Sequence, residues 1–530
     1  MAMNEFPDAA VSEPTGPEPI RSQPTAPEPT GGPPTGGQPT GPDPTAPEPT
    51  GPEPTDMDAE TFRRHGYAVI DRIADYIGRP ERWPVLPDIA PGGLRDRLPA
   101  EAPAAGEPME DILTDFDRLI LPATTHWNHP GFFAYFSVSG SAPGILGEAL
   151  TAALNVNAML WRTGPAATEL EEVTLDWLRR MIGLGDGFDG TINDTASIST
   201  LHALAAAREA DSTLRVREEG LSGRDLPPLR VYCSEEAHSS VDKAVLTLGM
   251  GMSGVRRVRT DGEQALDVAA LERAIAEDRS AGIRPIAVVA TVGTTSTTAV
   301  DPVPAIAELC RREGLWLHVD AAYGGAAAVL PELRGVLDGC DRADSIVVNP
   351  HKWLFVPIDC SVLYTSRPDV LKRAFSLVPE YLTTTDPAGT RNLMDYGVAL
   401  GRRFRALKLW FVLRQFGTDG IGQRLRHHLD LARSFAQWVD EDASFERLAP
   451  TRFSVVVFRY RPPAATDEAH IDQLNMELLQ RLNGSGEVFL SHTRVNGKYA
   501  LRLAIGNIRT TSAHVARAWQ LAREAAQRLS

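Results

Sequence analysis

The chain has 530 residues, of which 43% are hydrophobic and 23% charged, a composition typical of a soluble globular protein with two or three domains. Its net charge of -16 argues against nucleic acid or an anionic membrane as a partner, since both reward clustered basic residues. The 4 cysteines form no CxxC motif, so the sequence indicates neither a disulfide framework nor a metal site and predicts a cytoplasmic protein.

The first part of the chain differs in composition from the rest. Variants of Pro-Thr-Gly-Pro-Glu recur through residues 7–55, and 16 of the 41 prolines precede Asp56. Such a segment cannot bury enough apolar surface to offset the entropy that ordering would cost. We therefore predict a disordered tail over residues 1–55.

A helical segment is predicted over residues 56–141. Apolar residues recur at helical spacing across residues 62–77 and again across residues 112–120. Aspartates just before the first of these patterns can cap the start of a helix. An apolar and aromatic stretch at residues 126–136 then leads towards the next domain.

From about residue 165 the pattern alternates between strands and helices. Short β-rich apolar runs predict strands at residues 231–233, 286–291, 315–319, 345–348 and 361–364. Such runs are typical of a mainly parallel sheet covered by helices. Beyond residue 400 the patterns predict helices at residues 404–416 and 419–439, a strand at residues 453–459 and a last helix from Ala513. We therefore predict a large domain over residues 142–409 and a smaller α+β domain over residues 410–530.

Lys352 is one of 5 lysines in a chain with 53 lysine and arginine residues. Arginine can replace lysine wherever only a cation is needed, but it cannot act as a nucleophilic amine. Lys352 lies in the motif Asn349-Pro350-His351-Lys352-Trp353, directly after a predicted strand. It is therefore a candidate for a covalent bond to an aldehyde.

Complementary groups stand at other strand ends, where α/β proteins bind their ligands. Asp320 ends one predicted strand, and His238 and Thr295 follow two others. Residues 190–197 lead into a helix whose start can hold a phosphate. Each signal is weak alone, because strand-end aspartates are usually helix caps. Together they supply an amine for an aldehyde, an acid for a pyridine nitrogen and a site for a phosphate, which are the needs of pyridoxal phosphate (PLP).

From about Asp56 to its C-terminus, the chain resembles the group II PLP-dependent decarboxylases, the family of the aromatic-L-amino-acid decarboxylases. The stretches that carry the resemblance are residues 165–171, 237–240, 318–323, 349–353 and 401–408. The resemblance implies an α/β protein of the aspartate-aminotransferase-like fold (fold type I), with a mainly parallel central sheet flanked by helices. It also implies a homodimer with shared active sites, in which residues 56–141 pack on the partner subunit.

The same resemblance implies roles for individual residues. Lys352 would bind PLP covalently, Asp320 would pair with its pyridine nitrogen, and His238 would stack on its ring near the substrate carboxylate. The other cofactor-binding residues that it implies are Ala196, Ser197, Thr295, Asn349 and His351. Here Ala196, Ser197 and Asn349 would hold the phosphate.

Tyr381 bears on whether the product is an amine or an aldehyde. In the plant relatives, a tyrosine in the mobile catalytic loop favours decarboxylation, whereas phenylalanine favours oxygen-dependent aldehyde formation. Tyr381 matches that position, and a phenol can deliver a proton to the substrate carbon. His238 also stands where some aldehyde-forming insect relatives carry asparagine. Both residues predict an amine product, with an aldehyde synthase on the same scaffold as the alternative.

The predicted substrate is an aromatic L-amino acid. Trp127, Tyr135 and Phe136 match positions that line the substrate ring in relatives, and Gly401 leaves space for a bicyclic ring. The chain departs from the animal enzymes at Val138, Asn157 and Met159. These departures disfavour L-DOPA and leave tryptophan, phenylalanine, tyrosine or a less common ring open.

Two other hypotheses fit the sequence less well. A glutamate or cysteine-sulfinate type of decarboxylase would need a cation in the pocket, and the sequence offers no obvious one. A non-catalytic scaffold, with the Pro-rich tail as its working part, would tolerate loss of the cofactor residues, yet all of them are present.

Overall fold

The structure is a computed structural model that describes residues 56–377 and 390–529. Within the described residues the chain divides into two units between Arg64 and His65, and the second unit contains every element that forms the site. No helix within the described residues is long and apolar enough to cross a membrane. The predicted tail and Tyr381 lie outside the described residues.

The elements are named in chain order. The strands are β1 (Phe132–Phe133), β2 (Asp189–Asn193), β3 (Leu229–Ser234), β4 (Val255–Val258), β5 (Arg284–Thr291), β6 (Trp316–Asp320), β7 (Ser345–Val348), β8 (Ser361–Thr365), β9 (Phe445–Arg447), β10 (Val455–Tyr460), β11 (Phe489–Val495) and β12 (Lys498–Ala504). The helices are α1 (Ala59–Gly78), α2 (Met109–Asp115), α3 (Ala142–Leu154), α4 (Pro165–Met181), α5 (Ala196–Ala210), α6 (Val216–Glu219), α7 (Ser240–Thr247), α8 (Val268–Ser280), α9 (Val303–Glu313), α10 (Pro350–Trp353), α11 (Pro368–Phe375), α12 (Ala406–Glu441), α13 (Glu468–Asn483) and α14 (Ser512–Gln527).

Helix α1 begins where the sequence predicts. The Asp58 carboxylate accepts hydrogen bonds from the backbone N–H groups of Glu60 and Thr61, both at 3.0 Å. These are donors that have no partner inside the helix, so the predicted cap is confirmed.

A mainly parallel sheet forms the centre of the second unit. Its strands within the described residues lie in the order β2-β8-β7-β6-β5-β3-β4, and only β8 runs antiparallel to its neighbours. The runs predicted as strands are all present, because apolar residues on both faces can be buried between layers of helices. The predicted α/β fold of type I is therefore confirmed.

Strand β2 is a correction to the sequence analysis, which predicts only a helix start at residues 190–197. At this sheet edge, β2 depends on side chains from elsewhere in the chain. Glu171 accepts a hydrogen bond from Ile192 N–H at 2.9 Å, and Arg402 donates to the Ile192 carbonyl at 2.5 Å. Glu171 and Arg402 are themselves an ion pair at 2.9 Å. No local pattern in the sequence shows such distant partners.

A second sheet, ordered β1-β11-β12-β10-β9 in the described residues, forms the C-terminal part. Strand β1 pairs parallel with β11 and so attaches the aromatic stretch at residues 126–136 to this sheet. The sequence predicts only β10 of these strands. The domain boundaries at residues 141 and 409 stay predictions.

Helix α12 corresponds to both helices predicted at residues 404–416 and 419–439, and the predicted break between them is confirmed. The sequence places a break between them, and the structure has non-helical backbone there, at Gly417 with φ +62°. Glycine adopts this conformation at little cost, so the chain turns without an intervening loop.

Candidate active site

A cavity of about 160 Å³ opens at the carboxyl ends of β3, β5, β6 and β7. It is lined by Phe136, Thr195, Ala196, Ser197, His238, Thr291, Gly293, Thr295, Asp320, Ala322, Tyr323, Asn349, His351 and Lys352. Parallel strands end at the same edge of a sheet, which is why residues far apart in the sequence meet here. The structure thus brings together all the residues predicted to bind the cofactor.

Lys352 and Asp320 form the polar centre of the cavity. Asp320 ends β6, and its Oδ1 accepts a hydrogen bond from the Ala322 N–H at 3.1 Å, which fixes the carboxylate. Burial lowers the pKa of the Lys352 amine, Asp320 opposes this, and the cation of Arg502 lowers the pKa further. A lowered pKa favours the neutral amine, which is the nucleophilic form.

The first turn of α5 borders one end of the cavity. Ala196 and Ser197 lie in this turn, where backbone N–H groups lack acceptors inside the helix. The Thr291 hydroxyl, at the end of β5, also lines the cavity and is buried without a hydrogen-bond partner. Open backbone donors at the start of α5 fit a phosphate group.

Asn349 and His351 are coupled through the proton of the His351 ring. Burial lowers the pKa of His351 to about 3, so the ring is neutral, and its Nδ1 accepts from the Cys360 N–H at 2.9 Å. The ring proton therefore lies on Nε2, which is 3.4 Å from Nδ2 of Asn349. Two donors cannot pair, and Asn349 Oδ1 is buried without a partner, so an exchange of the amide oxygen and nitrogen would let Nε2–H donate to Oδ1. The Asn349 NH₂ group would then point away from His351 and could donate to a phosphate.

His238 stands at the mouth of the cavity, after β3. Its Nδ1 accepts a hydrogen bond from the Ser240 N–H at 3.1 Å, so the loop that starts α7 sets the ring orientation. Partial burial lowers the pKa of His238, Asp320 opposes the shift, and Lys352 adds to it. The ring is exposed enough to face a ligand.

An aromatic column that the sequence analysis missed backs the cavity. The ring of Tyr323 stacks on Phe136 at 3.9 Å and on Trp353 at 4.9 Å between centroids. The Tyr323 hydroxyl is hydrogen-bonded to Ser454 at 2.6 Å. Lys352 Nζ lies 5.0 Å from the centroid of Phe136. Tyr323 stands three positions after Asp320 in the 318–323 stretch, which is the signal that could have identified it.

The predicted substrate residues fall into two groups, of which the first is an aromatic wall. Trp127 stacks on Tyr135 with 5.9 Å between ring centroids, and Phe136, the next residue in the chain, lines the cavity. Tyr135 has a φ of +53° and an exposed side chain, a strained conformation that is typical of functional sites. The half-buried Val138 follows in the same segment.

The second group is a polar surface patch formed by Asn157, Met159 and Gly401. Asn157 accepts a hydrogen bond from the Arg402 N–H at 3.0 Å, and its amide nitrogen lies 3.5 Å from the Met159 sulfur. A Cβ at Gly401 would lie 3.8 Å from the Asn157 amide, so the site has room for a side chain. No hydrogen bond or ring contact in the described part of the chain joins this patch to the aromatic wall.

These groups fit PLP, which needs an amine, an acid and a phosphate site. A strand-end carboxylate, a buried lysine and an open helix start on a mainly parallel sheet together define a PLP-dependent enzyme of fold type I. The sequence matches the family described as "Pyridoxal-dependent decarboxylase conserved domain" over residues 91–461. The chain belongs to this family, and its cofactor is PLP.

Relatives and solved structures resemble nearly the whole chain. "Tyrosine decarboxylase 4" of Petroselinum crispum is 40% identical over 487 residues, covering 89% of this chain and 94% of the relative. "Phenylacetaldehyde synthase" of Arabidopsis thaliana is 40% identical over 485 residues, covering 89% and 97%. The structure of Oryza sativa TDC with PLP and tryptamine superposes with a TM-score of 0.86 at 37% identity, covering 89% of this chain and 99% of that one.

Proposed function

We propose that this enzyme converts an aromatic L-amino acid, of the tryptophan, phenylalanine or tyrosine class, into the corresponding amine and carbon dioxide. The observation that carries the proposal is the aromatic segment beside the cavity: exposed Tyr135 stacks on Trp127, and the next residue, Phe136, lines the cavity with its ring centroid 5.0 Å from Lys352 Nζ. A flat ring docked on this wall places its amino acid group at the cavity mouth. Relatives named as tyrosine and tryptophan decarboxylases support it.

Each residue of the cavity would have a separate role in the reaction. When bound, PLP supplies an electron-withdrawing ring that accepts the electron pair left by the departing carboxylate. Lys352, with its lowered pKa, binds the cofactor aldehyde through its neutral amine. Asp320 would hold a proton at the pyridine nitrogen, and His238, at the mouth of the cavity, would cover the ring. The group that leaves would be decided by which bond at Cα the pocket aligns with the electron-withdrawing ring.

A homodimer completes the site. Leu146, Leu150 and Leu154 are 52%, 49% and 58% exposed and form one stripe on α3, because they are four residues apart. An exposed apolar stripe next to a catalytic segment marks an interaction surface. A second copy that covers it would bring the Asn157, Met159 and Gly401 patch of one protomer to the aromatic wall of its partner.

An amine-product screen over the aromatic amino acids tests the function, with carbon dioxide, ammonia and peroxide measured in parallel. The expected result is one amine per carbon dioxide, without ammonia or peroxide. If no aromatic amino acid yields either an amine or an aldehyde, the proposal is wrong.

The alternative is an aldehyde synthase, which would release ammonia and peroxide as well as carbon dioxide. The resemblance to "Phenylacetaldehyde synthase" at 40% identity supports this alternative function. Tyr381 favours the amine, and a Tyr381→Phe variant should shift the products towards aldehyde. An unchanged product ratio in this variant would remove the argument from Tyr381.

A cytoplasmic location is part of the proposal. All 4 cysteines are buried and unpaired, which suits a reducing compartment. Fractionation of the host cells followed by detection of the protein tests this location.

A further inference from the structure

We propose that His428 is a positioning residue, which holds the aromatic stretch at residues 126–136 in place relative to Lys352. The proposal rests on the proposed function, because it concerns the pocket for the aromatic ring of the substrate. His428 lies on α12, and its side chain is 1% exposed. It joins Trp353, 75 positions before it, to Asn507, 79 positions after it.

The ring of His428 lies between two groups of opposite hydrogen-bonding character. Its Nδ1 accepts a hydrogen bond from the Trp353 indole N–H at 3.0 Å, and its Nε2 lies 3.1 Å from the backbone carbonyl of Asn507. An indole N–H can only donate and a carbonyl can only accept, so His428 is neutral and carries its proton on Nε2. Burial lowers the pKa of His428 to about 3, which agrees with this neutral form.

The first partner, Trp353, connects His428 to the reactive lysine. Trp353 follows Lys352 on α10, and its side chain is fully buried. Its ring stacks on Tyr323 with 4.9 Å between centroids, and Tyr323 stacks on Phe136 with 3.9 Å between centroids. The position of Trp353 is therefore coupled to the Phe136 end of the aromatic stretch.

The second partner, Asn507, holds the other end of the aromatic stretch. Its side-chain NH₂ group donates hydrogen bonds to the backbone carbonyls of Trp127 and His129, both at 3.1 Å. Its Oδ1 accepts a hydrogen bond from the Arg509 N–H at 2.9 Å, so each polar atom of this fully buried side chain has a partner. Asn507 thus fixes the backbone that carries the Trp127 ring.

Two routes therefore lead from Trp353 to the same stretch of chain. The aromatic stack ends at Phe136, which lines the cavity, and the hydrogen-bonded route through His428 ends at the backbone of Trp127. Together they hold both ends of the stretch to the residue that follows Lys352. His428 is the central link of the second route.

The expected effect of breaking this link is on the substrate ring rather than on the amine chemistry. A gap of about 0.5–1 Å between two packed surfaces removes about a quarter to a half of their dispersion attraction. A small shift of the Trp127 end therefore weakens the binding of an aromatic ring. Lys352 and the start of α5 would still bind PLP, because neither depends on the hydrogen bonds of His428.

The first experiment compares the binding of phenethylamine and ethylamine to the wild-type holoenzyme. Both compounds carry the same primary amine, and only phenethylamine has a ring. Their dissociation constants are read from the absorbance of bound PLP, so the measurement needs no turnover. We expect phenethylamine to bind at least about 30-fold more tightly, because its ring is buried on binding. Equal affinities would overturn the proposal, since there would be no ring pocket to position.

The second experiment measures both amines with His428→Leu and His428→Gln. Leu removes both hydrogen bonds, and we expect the preference for phenethylamine to fall at least about tenfold while the affinity for ethylamine and the absorbance of bound PLP stay unchanged. Gln offers an acceptor and a donor in place of Nδ1 and Nε2, so at least about half of the preference should remain. His427→Leu, the same change at the exposed neighbouring histidine, is the matched control and should behave as wild type.

The outcomes separate positioning from a purely structural role. An unchanged preference in His428→Leu contradicts the proposal, and an equal loss of affinity for both amines indicates a structural role instead. Should His428→Leu fail to fold, Trp353→Phe removes the indole N–H at the other end of the link and keeps an aromatic ring against Tyr323. The preference should fall in this variant as well, and an unchanged preference would again contradict the proposal.

This inference and the proposed function can fail separately. Amine binding needs no turnover, so a failed amine-product screen does not affect the result for His428. Conversely, an enzyme that forms an aromatic amine but keeps its preference for phenethylamine in His428→Leu would retain the proposed function and lose only this inference.

Discussion

The cofactor cavity and the polar patch around Gly401 differ in what one chain supplies. The cavity contains its lysine, its acid and its phosphate site, all held by strand ends of one sheet. The patch has only three candidate substrate residues, which are largely exposed, and it makes no hydrogen bond or ring contact with the aromatic wall in the described residues.

The two regions therefore differ in their proposed roles: the cavity carries out the reaction, and the patch selects the substrate. Groups that bind PLP must hold fixed positions, and buried strand ends provide such rigidity. Groups that choose the substrate ring can lie on a surface that a second chain covers. The reaction type is therefore determined within the protomer, and we propose that substrate preference is determined between protomers.

The largest expected effect comes from Lys352→Arg, which keeps a cation in the cavity but removes the nucleophilic amine. Activity should fall by at least about 10⁴-fold. PLP should also be lost on dialysis, which absorbance of the dialysed protein detects. Lys498→Arg, on the C-terminal sheet, is the control and should retain both. Covalent retention of PLP by Lys352→Arg would contradict the assignment.

Asp320→Asn should lower kcat by about 10³-fold, because an amide cannot hold a proton at the pyridine nitrogen. PLP should remain bound, since Lys352 and the α5 helix start are unchanged. Steady-state kinetics measures kcat, and the PLP content of the purified variant shows whether the cofactor remains bound. If kcat changes by less than about tenfold, Asp320 is not the acid partner.

Mixing two inactive variants tests whether the patch belongs to the site of a second chain. Lys352→Arg damages the cavity, and Gly401→Trp fills the patch. If sites are shared, half of the mixed dimers' sites are intact, and activity should recover to about a quarter of wild type. Unfolding and refolding the two proteins together, with each alone as control, provides the measurement. No recovery would place both lesions in one chain's site.

Acid should destabilise the folded protein, and the buried His428 should contribute to this effect. Burial lowers the pKa of His428 to about 3, below the ordinary value of 6.5, so the unfolded chain binds its proton first as the pH falls. Stability due to this histidine is present above pH 6.5 and decreases below it, by about 2 kcal/mol at pH 5. His428→Gln can keep the hydrogen bonds to Trp353 and Asn507 without titrating.

Urea unfolding at pH 7.5 and pH 5 measures this effect. The difference between the two free energies of unfolding should shrink in His428→Gln, and exposed His470→Gln should leave it unchanged. An identical pH dependence in wild type and His428→Gln would show that His428 does not titrate on unfolding.

The smallest expected effect is on selectivity. Gly401→Ser places a Cβ 3.8 Å from the Asn157 amide, at a position where the resemblance implies that glycine leaves space for a bicyclic ring. We expect the ratio of kcat/KM for tryptophan over tyrosine to fall about tenfold. Competition between the two amino acids measures the ratio directly, and an unchanged ratio would remove Gly401 from the substrate pocket.

The sequence predicted most of the residues that line the cavity, but fewer of the residues that surround it. Lys352, Asp320 and His238 are each next to a strand whose apolar run is readable, so their meeting at one sheet edge follows from topology. Tyr381 stays a prediction. Tyr323 was missed as a residue of the cavity, although it stands three positions after Asp320.

Local patterns of the sequence were enough to predict most strands of the central sheet, to single out Lys352 as the reactive lysine and to identify the family. Only the tertiary structure decided which polar groups are left without partners. The contact of Arg502 with Tyr135 spans 367 positions, and the support of β2 by Arg402 spans 210. Strand and helix signals arise from neighbouring residues, whereas burial and hydrogen bonding depend on the whole packed chain. The buried nitrogens of Arg502 that lack a hydrogen-bond partner are therefore visible only in the folded protein.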